Sequence, residues 1–306
     1  MLPLIISLSI VGLLLILSLI VLIGVYNFTF QSPKKWQMDD FELSKSLQYQ
    51  GFEEEIVNLI KQLREIPYED AYIKAFDRTK LHARVYKNDH SNQVAILCHG
   101  YRGTACRDFS GGATELIKMG LNVVLIDERA HGRSGGHSIT FGVKESKDVI
   151  SWIRYAKETF GLDKEIILIG ISMGGASVLF ASNKINNVKI IADCPYSSTK
   201  GQLISTIKGF KLNEKICFPV LNLASILFCH VNLRNHDAVK NVQESNNKIL
   251  IIHGEKDSIV PYESSKRVYE ANKDKVQYEL FTNADHGMSY MFDKERYKKL
   301  LENFIK

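Results

Sequence analysis

The sequence lacks the short motifs that identify the commonest nucleotide- and metal-dependent enzymes. No two of its 20 glycines are separated by a single residue, which excludes the dinucleotide fingerprint G-x-G-x-x-G. Gly-Lys-Ser, Gly-Lys-Thr and H-E-x-x-H are also absent, so the chain has neither a P-loop nor a zinc-protease helix of that type. The chemistry of this chain therefore has to be sought in other residues.

Paired cysteines and a strong charge are missing as well. The five cysteines of the 306-residue chain form no C-x-x-C and are odd in number, so we expect neither a disulfide framework nor a zinc knuckle. The net charge is only +5 and the basic residues are scattered, which is typical of a solvated surface rather than of a nucleic-acid-binding face. We expect no metal and no nucleic-acid partner.

The amino-terminal residues 1–33 carry no charged side chain and no histidine. Residues 4–26 are almost all apolar and would form a helix of roughly 35 Å, enough to cross a hydrocarbon core of about 30 Å. A cleaved signal peptide is the alternative, but the start lacks a basic residue, the apolar run is too long and no A-x-A follows it. The sequence therefore predicts an uncleaved, single-pass anchor at residues 1–32 that meets the membrane through residues 4–26.

A polar connector is predicted over residues 33–70. Lys34, Lys35 and Lys45 follow the apolar segment and no basic residue precedes it, so the positive-inside rule favours a cytoplasmic catalytic domain. Apolar residues at helical spacing predict an amphipathic helix near residues 52–64. We expect this helix to pack on the main domain rather than to lie on the membrane.

From residue 71 to residue 306 the pattern is that of an α/β domain. Two strand-like segments at residues 71–76 and 81–86 flank a turn, which predicts an antiparallel hairpin. Short apolar runs then alternate with helical stretches, as in a doubly wound, mostly parallel sheet. These runs cover residues 94–97, 123–126, 166–169, 188–191, 249–252 and 276–281.

One interval is longer than a single crossover helix requires. It predicts a short helical lid at about residues 196–247. Within it, residues 216–231 are apolar but too few to span a bilayer.

A candidate nucleophile follows the strand at residues 166–169. Ser172 lies in Gly170-Ile171-Ser172-Met173-Gly174-Gly175, a G-x-S-x-G sequence with a strand before it and a small-residue helix after it. Such a turn lifts the hydroxyl above the carboxyl edge of the sheet and places it at a helix amino terminus. The alternative is a glycine-rich packing turn.

A serine hydroxyl needs a base, and the base needs a carboxylate that orients it. His286 follows the last strand-like run and Asp257 follows the one before, in the chain order Ser, Asp, His of α/β-hydrolases. Glu255 and Asp193 are the rival acids. Asp285 adjoins the base in sequence, but we expect its side chain to point elsewhere.

The acyl oxygen requires hydrogen-bond donors where its negative charge develops. The loop His99-Gly100-Tyr101-Arg102-Gly103 follows the strand that ends at Cys98, so the backbone amides of Tyr101 and Met173 are predicted to form the oxyanion hole. We expect His99 to brace this loop rather than to act in catalysis.

A second glycine-rich loop, residues 127–136, also follows a strand. A metal site at His131 and His137 is one interpretation. A structural turn in which Asp127 pairs with Arg129 is the interpretation we favour.

Taken together, H-G-Y-R-G, D-E-R-A-H-G-R-S-G-G, G-I-S-M-G-G, H-G-E-K-D-S-I-V-P and A-D-H-G resemble the motifs of the α/β-hydrolase superfamily, in its order. The pattern is most similar to small membrane-anchored or cytosolic bacterial serine hydrolases of the esterase-like or serine-aminopeptidase-like kind. The resemblance implies the α/β-hydrolase fold and a triad of Ser172, His286 and Asp257 that acts without a cofactor. The first loop departs from the HGGG type of many lipases, which puts a lipase-like acyl pocket in doubt.

The function expected from these residues is hydrolysis of a carboxylic ester or related acyl bond through an acyl-enzyme, on a small-molecule or lipid-like substrate. A peptidase, a thioesterase or a lipid acyl hydrolase would use the same triad. A non-catalytic binding module of the same fold is the alternative of a different class.

Overall fold

The computed structural model describes residues 2–32, 40–41, 43 and 47–306, with only the backbone of residues 2, 3 and 47. Lys34, Lys35 and Lys45, on which the predicted orientation depends, and most of the predicted connector before residue 47 lie outside these residues.

An eight-stranded sheet forms the centre of the molecule, in the order β1-β2-β4-β3-β5-β6-β7-β8. β1 and β2 form an antiparallel hairpin, β2 also pairs antiparallel with β4, and every other neighbouring pair is parallel. This confirms the doubly wound, mostly parallel sheet with a hairpin at its start. The strands are β1 (Glu69–Lys74), β2 (Lys80–Tyr86), β3 (Gln93–Cys98), β4 (Asn122–Asp127), β5 (Glu165–Ile171), β6 (Val188–Asp193), β7 (Lys248–Gly254) and β8 (Val276–Phe281).

Helices cover both faces of the sheet. They are α1 (Leu2–Thr29), α2 (Glu53–Glu65), α3 (Ala105–Asp108), α4 (Ser110–Lys118), α5 (Glu145–Phe160), α6 (Met173–Ala181), α7 (Thr199–Gly209), α8 (Glu214–Ala224), α9 (Ala238–Gln243), α10 (Tyr262–Ala271), α11 (Ser289–Phe292) and α12 (Lys294–Ile305). Two 3₁₀ turns, Leu47–Tyr49 and Ser182–Lys184, and one π-helical turn, Ser225–Cys229, complete the helical segments.

The continuous apolar runs supply two separate cores, because successive side chains of a strand point to opposite faces. On β3, Val94 and Ile96 join the core under α5, α6, α9 and α10, while Ala95 and Leu97 join the core under α2, α4 and α12. The apolar face of α2 is buried in the second core through Ile56, Ile60 and Leu63. Strands buried on both faces hold their carboxyl ends rigidly, and those ends carry the candidate site.

The segment predicted as a lid folds into α7, α8, the π-helical turn and α9, and α8 contains Pro219. The first two helices and the π-helical turn contribute to a third apolar cluster, here called the lid cluster. Half-buried Leu22, Val25 and Tyr26 from the end of α1 pack against this cluster, and Phe30 is fully buried in it. The lid cluster is built from Phe30, Phe141, Val143, Leu203, Ile207, Phe218, Ala224, Cys229, Val231 and Leu233.

Helix α1 differs from all the others. Leu4–Thr29 has a mean hydropathy of 3.0 over its most apolar window, and that window has no residue buried inside the protein. Within the described part of the chain, it is the one helix long and apolar enough to cross a membrane.

Candidate active site

Ser172 occupies the sharp turn between β5 and α6. Its φ of 55° and ψ of −113° are unfavourable for a residue with a side chain, and such strain is typical of a nucleophile held on a tight turn. The turn also needs small residues around it. A Cβ at Gly174 would lie 1.9 Å from the carbonyl oxygen of Cys98, and one at Gly170 would lie 2.2 Å from that of Gly174. The two glycines therefore let β5 run straight into α6 beneath β3.

The three predicted side chains meet above the carboxyl edge of the sheet. The Oγ of Ser172 lies 2.8 Å from Nε2 of His286, and Nδ1 of His286 lies 2.7 Å from Oδ2 of Asp257. The imidazole thus stands between a hydroxyl and a carboxylate, with a nitrogen facing each. In this arrangement Nδ1 donates to Asp257 and Nε2 is free to accept the serine proton.

The Asp257 carboxylate is held in its ionised form. Its Oδ1 accepts hydrogen bonds from the amides of Ile259 and Val260, at 2.9 and 2.7 Å, and Nε2 of His253 lies 3.1 Å from Oδ2. Burial opposes ionisation, but the two histidines and their hydrogen bonds outweigh it, so the pKa of Asp257 falls below its ordinary value. His253 was not anticipated from the sequence, although its position at the end of β7 could have indicated it.

The charge of Asp257 acts in turn on the base. Burial alone would lower the pKa of His286, but the adjacent carboxylate and its hydrogen bond raise that pKa above the ordinary value. An imidazole with this environment binds a proton readily and is well suited to act as a general base.

The rival acids lie elsewhere. Glu255 is exposed, and the buried Asp193 accepts a hydrogen bond from the hydroxyl of Tyr297 at 3.0 Å. Asp285 turns away from the imidazole: its Oδ1 accepts from the amide of His286 at 2.7 Å and from the amide of Ser258 at 2.8 Å. Asp285 thereby ties the loop that carries the base to the loop that carries the acid.

The two amides predicted to form the oxyanion hole flank the nucleophile. Met173 is the first residue of α6, where the amide has no partner within the helix. Tyr101 lies in the loop after β3, where a Cβ at the neighbouring Gly100 would come within 3.4 Å of the Ser172 Cβ. Neither amide has a hydrogen-bond acceptor in the part of the chain that the structure describes. Both donors are therefore available at the site.

Two buried histidines brace the Tyr101 loop. His99 accepts from the Glu128 amide through Nε2 at 3.0 Å, so its Nδ1 carries the proton and donates to the carbonyl oxygen of Gly100 at 2.8 Å. His131 accepts from the Arg102 amide through Nε2 at 3.1 Å. Burial lowers the pKa of both rings, that of His131 to about 3, so both stay neutral and able to accept. His99 has the bracing role expected for it, whereas that of His131 was missed.

The predicted pairing of Asp127 with Arg129 is wrong. Asp127 lies 2.7 Å from Nδ1 of His82 and accepts from the Arg133 amide at 2.9 Å. Arg129 instead binds the buried Asp148 through two hydrogen bonds of 2.6 Å. The planar guanidinium favours such a two-pronged partner, and α5 presents one that sequence distance conceals.

One group of side chains could approach a metal ion, and it overlaps the triad. Ligand atoms of Cys194, Asp257 and His286 lie within 4.8 Å of one another. Burial raises the pKa of the Cys194 thiol well above its ordinary value, which disfavours the thiolate that a metal requires. The group is better suited to proton transfer than to metal binding.

Comparison with known proteins places this geometry in a wider context. The model of the prolyl oligopeptidase family, Peptidase S9, matches residues 108–306. The protein YqkD of Bacillus subtilis is 25% identical over 225 residues, which cover 72% of this chain and 73% of that protein. An uncharacterized membrane protein of Saccharomyces cerevisiae is 28% identical over 233 residues, covering 72% of this chain and 75% of the yeast protein.

Solved structures show the same fold. The esterase Pf2001 of Pyrococcus furiosus superposes with a TM-score of 0.62 at 26% identity, covering 80% of this chain and 94% of the esterase. An esterase of Exiguobacterium antarcticum superposes with a TM-score of 0.58 at 22% identity, covering 78% and 99% of the two chains. The α/β-hydrolase fold predicted from the motifs is confirmed.

Proposed function

The chain belongs to the prolyl oligopeptidase family of hydrolases, and we propose that it is a membrane-anchored serine hydrolase that cleaves a carboxylic ester or a related acyl bond. The observation that carries the proposal is the unbroken hydrogen-bond chain from Ser172 through His286 to Asp257. Each of the three comes from a different turn after a strand, so their meeting reflects the fold and not proximity in sequence.

In the proposed reaction, the Oγ of Ser172 attacks the acyl carbon while Nε2 of His286 takes the hydroxyl proton. Asp257 holds the ring in the correct tautomer and stabilises the imidazolium that forms. His286 then returns the proton to the leaving group, and the carbon–leaving-group bond breaks to give an acyl-enzyme. Water, deprotonated by the same nitrogen, releases the acid and restores Ser172.

The amides of Tyr101 and Met173 are proposed to hold the oxyanion. Losing one such donor typically costs about 3 kcal/mol of transition-state stabilisation. The strained backbone of Ser172 and the braced loop after β3 fix both donors before the substrate arrives.

The nature of the bond is supported by similarity alone. The Pyrococcus furiosus neighbour is an esterase, whereas the family is described as one of oligopeptidases. A thiohydrolase of Aspergillus aculeatus is 26% identical over 141 residues, 45% of this chain and 44% of that protein. An ester is our primary proposal, and a peptidase on the same triad is the second candidate because the family match favours it.

Helix α1 is proposed as the membrane anchor. From Leu4 to Val21 every residue except Gly12 is exposed, which as a helix amounts to roughly 27 Å of apolar surface. The yeast relative is described as a membrane protein. With the basic residues of the sequence on its carboxyl side, the anchor would leave the catalytic domain in the cytoplasm.

The decisive experiment is labelling of the full chain with a fluorophosphonate probe. We expect the protein to be labelled, Ser172→Ala to be unlabelled, and Ser151→Ala, a change on the surface of α5, to be labelled like the parent. A folded protein that takes up no probe would instead be a binding module.

Substrate class is resolved by a panel of soluble p-nitrophenyl esters of graded chain length, with a thioester and an aminoacyl amide beside them. Preference for the esters supports the primary proposal, and faster cleavage of the amide supports the peptidase. A fall in activity beyond about four carbons counts against a lipid substrate.

A further inference from the structure

Helix α8 of the lid exposes a row of large apolar side chains. Ile216 is 65% exposed and Leu223 is 46% exposed, and in the π-helical turn that continues the helix Ile226 and Leu227 are 42% and 48% exposed. Their spacing of three or four residues, with exposed Pro219 between the first two, places them on one side of the helix. We call Ile216, Pro219, Leu223, Ile226 and Leu227 the α8 stripe.

The opposite side of the same segment is already used. Phe218 and Cys229 are buried in the lid cluster, and the side-chain oxygen of Asn222 accepts from the amide of Leu233 at 2.9 Å. The lid therefore has a packed inner face and an apolar outer face. Isolated exposed apolar residues are common, but a contiguous row is typical of an interaction surface.

The α8 stripe is joined to the proposed anchor by direct packing. The rings of Tyr26 on α1 and Phe228 lie 5.2 Å apart, and half-buried Leu22 and Val25 complete the contact between α1 and the lid cluster. Only the last two turns of α1 take part, because the residues from Leu4 to Val21 are almost wholly exposed. If those earlier residues fill the hydrocarbon core, α8 lies beside the helix at the level of the membrane surface.

Charge around the stripe fits the same position. Phe210 and Leu212, which are 65% and 54% exposed, extend the apolar surface into the turn before α8. Lys211 and Lys215 are exposed on either side of Leu212. Lysine stems reach along apolar surface while their charged ends meet phosphate groups, so this pattern suits an anionic lipid interface.

We propose that the α8 stripe is a bilayer-docking surface: it enters the headgroup and upper acyl region of the membrane that holds α1. The inference rests on the proposed anchor, and its partner is the lipid bilayer rather than a protein. Docking of α8 would seat the lid, and with it the loop after β3, directly on the membrane surface, through the same cluster that contacts the end of α1.

The test places single tryptophans in the full chain, reconstituted into phosphatidylcholine and phosphatidylglycerol vesicles whose lipids are brominated in the upper acyl chain. Leu223→Trp reports on the stripe. Leu162→Trp is the matched control, because Leu162 is 81% exposed and precedes β5 at the opposite edge of the sheet. Leu14→Trp reports on α1. Trp36 and Trp152 are common to all variants and are subtracted with the parent protein.

We expect brominated lipid to quench the added fluorescence of Leu223→Trp and Leu14→Trp at least twofold and to leave Leu162→Trp unchanged. Quenching of Leu14→Trp without Leu223→Trp overturns the docking surface and leaves the anchor. If neither is quenched, the anchor fails and the docking surface fails with it. Probe labelling of the same samples at Ser172 reads the hydrolase proposal separately, so the failures are distinguishable.

Nanodiscs that admit one or two copies separate the bilayer from a self-interface. One copy per disc with a quenched Leu223→Trp supports docking to lipid. Two copies per disc with an unquenched Leu223→Trp overturn it in favour of contact between two chains. Hydrolysis of a soluble ester by Leu223→Trp should match the parent, which verifies that the variant is folded.

Discussion

The hydroxyl of Tyr101 donates a hydrogen bond to the backbone carbonyl of Thr29, 2.8 Å away, and joins the loop beside the nucleophile to the last turn of α1. Arg102 reinforces the link, since its guanidinium donates to the carbonyl of Phe28 at 2.6 Å. A helix end has unpaired carbonyls, and here the candidate oxyanion loop supplies the donors. The proposed anchor and the proposed catalytic machinery therefore share a boundary.

Removing the Tyr101 hydroxyl tests that link. We expect Tyr101→Phe to lower the free energy of unfolding by about 1 kcal/mol, because the Thr29 carbonyl loses its donor while the ring keeps its stacking on Phe141. The backbone amide is untouched, so kcat for a soluble ester should fall by no more than a few-fold. Thermal unfolding and initial rates of the detergent-solubilised protein measure the two effects. Tyr155→Phe, on α5, is the matched control, and a loss of activity without a loss of stability would contradict the bracing role.

Two buried or nearly buried aspartates allow the acid of the triad to be identified by comparison. We expect Asp257→Asn to lower kcat about 10³- to 10⁴-fold, because the imidazole loses the carboxylate that fixes its tautomer. Asp193→Asn should change kcat only a few-fold, because Asp193 bonds to Tyr297. Ester hydrolysis by the two purified variants decides the matter, and the reverse ranking would move the acid to the end of β6.

Asp193→Asn should also stabilise the protein at alkaline pH. Burial raises the pKa of Asp193 to about 6, so its ionisation destabilises the folded state at higher pH, and an amide removes that cost. The gain, roughly 1–3 kcal/mol above about pH 6, should vanish below the unfolded-state pKa near 4. Denaturant unfolding at about pH 8 and pH 4 measures it, and equal stability of parent and variant at both values would contradict the assignment.

The pH dependence of the reaction follows from the raised pKa of His286. The base must be neutral to accept the serine proton, so kcat/KM for a soluble ester should rise with pH and reach half its maximum above the ordinary histidine value of 6.5. Stability has the opposite sign: the increment from the His286–Asp257 ion pair is complete below the unfolded-state pKa and is lost as pH rises through the folded pKa. Rates between about pH 5 and 9, with the fold monitored by circular dichroism, test this. An acidic midpoint below about 6 would refute it.

The fold was predictable from sequence because its strands are buried on both faces and read as continuous apolar runs. The runs at residues 94–97 and 166–169 lie within β3 and β5, and the predicted run at residues 276–281 coincides with β8. The triad side chains were nominated for the same reason, since each follows a strand end, and all such ends meet at one edge of the sheet.

What the sequence did not provide is the set of contacts between distant segments. His131 accepts from Arg102, and His253 approaches Asp257, but neither ring lies in a recognisable spacing with its partner. The pairing of Arg129 with Asp127 was inferred from closeness in sequence, whereas the sheet turns Arg129 toward Asp148 on α5. Such partners depend on how helices pack over the sheet, which periodicity does not specify. The packing of α1 on the lid was missed for the same reason.

Asp285 offers a final test, because it positions the site without touching the reacting atoms. Its Oδ1 accepts from the amides of His286 and Ser258, and Asp257 immediately precedes Ser258, so one oxygen fixes the spacing of base and acid. We expect Asp285→Ala to lower kcat about tenfold with little change in KM, because a small misplacement of the imidazole weakens proton transfer but not binding. Asp285→Asn retains an oxygen that can accept both amides and should recover most of the rate. Steady-state kinetics of the two variants on a soluble ester give the comparison. If Asn is as impaired as Ala, the charge of Asp285 and not its geometry supports the base, and the two loops are held together by other contacts.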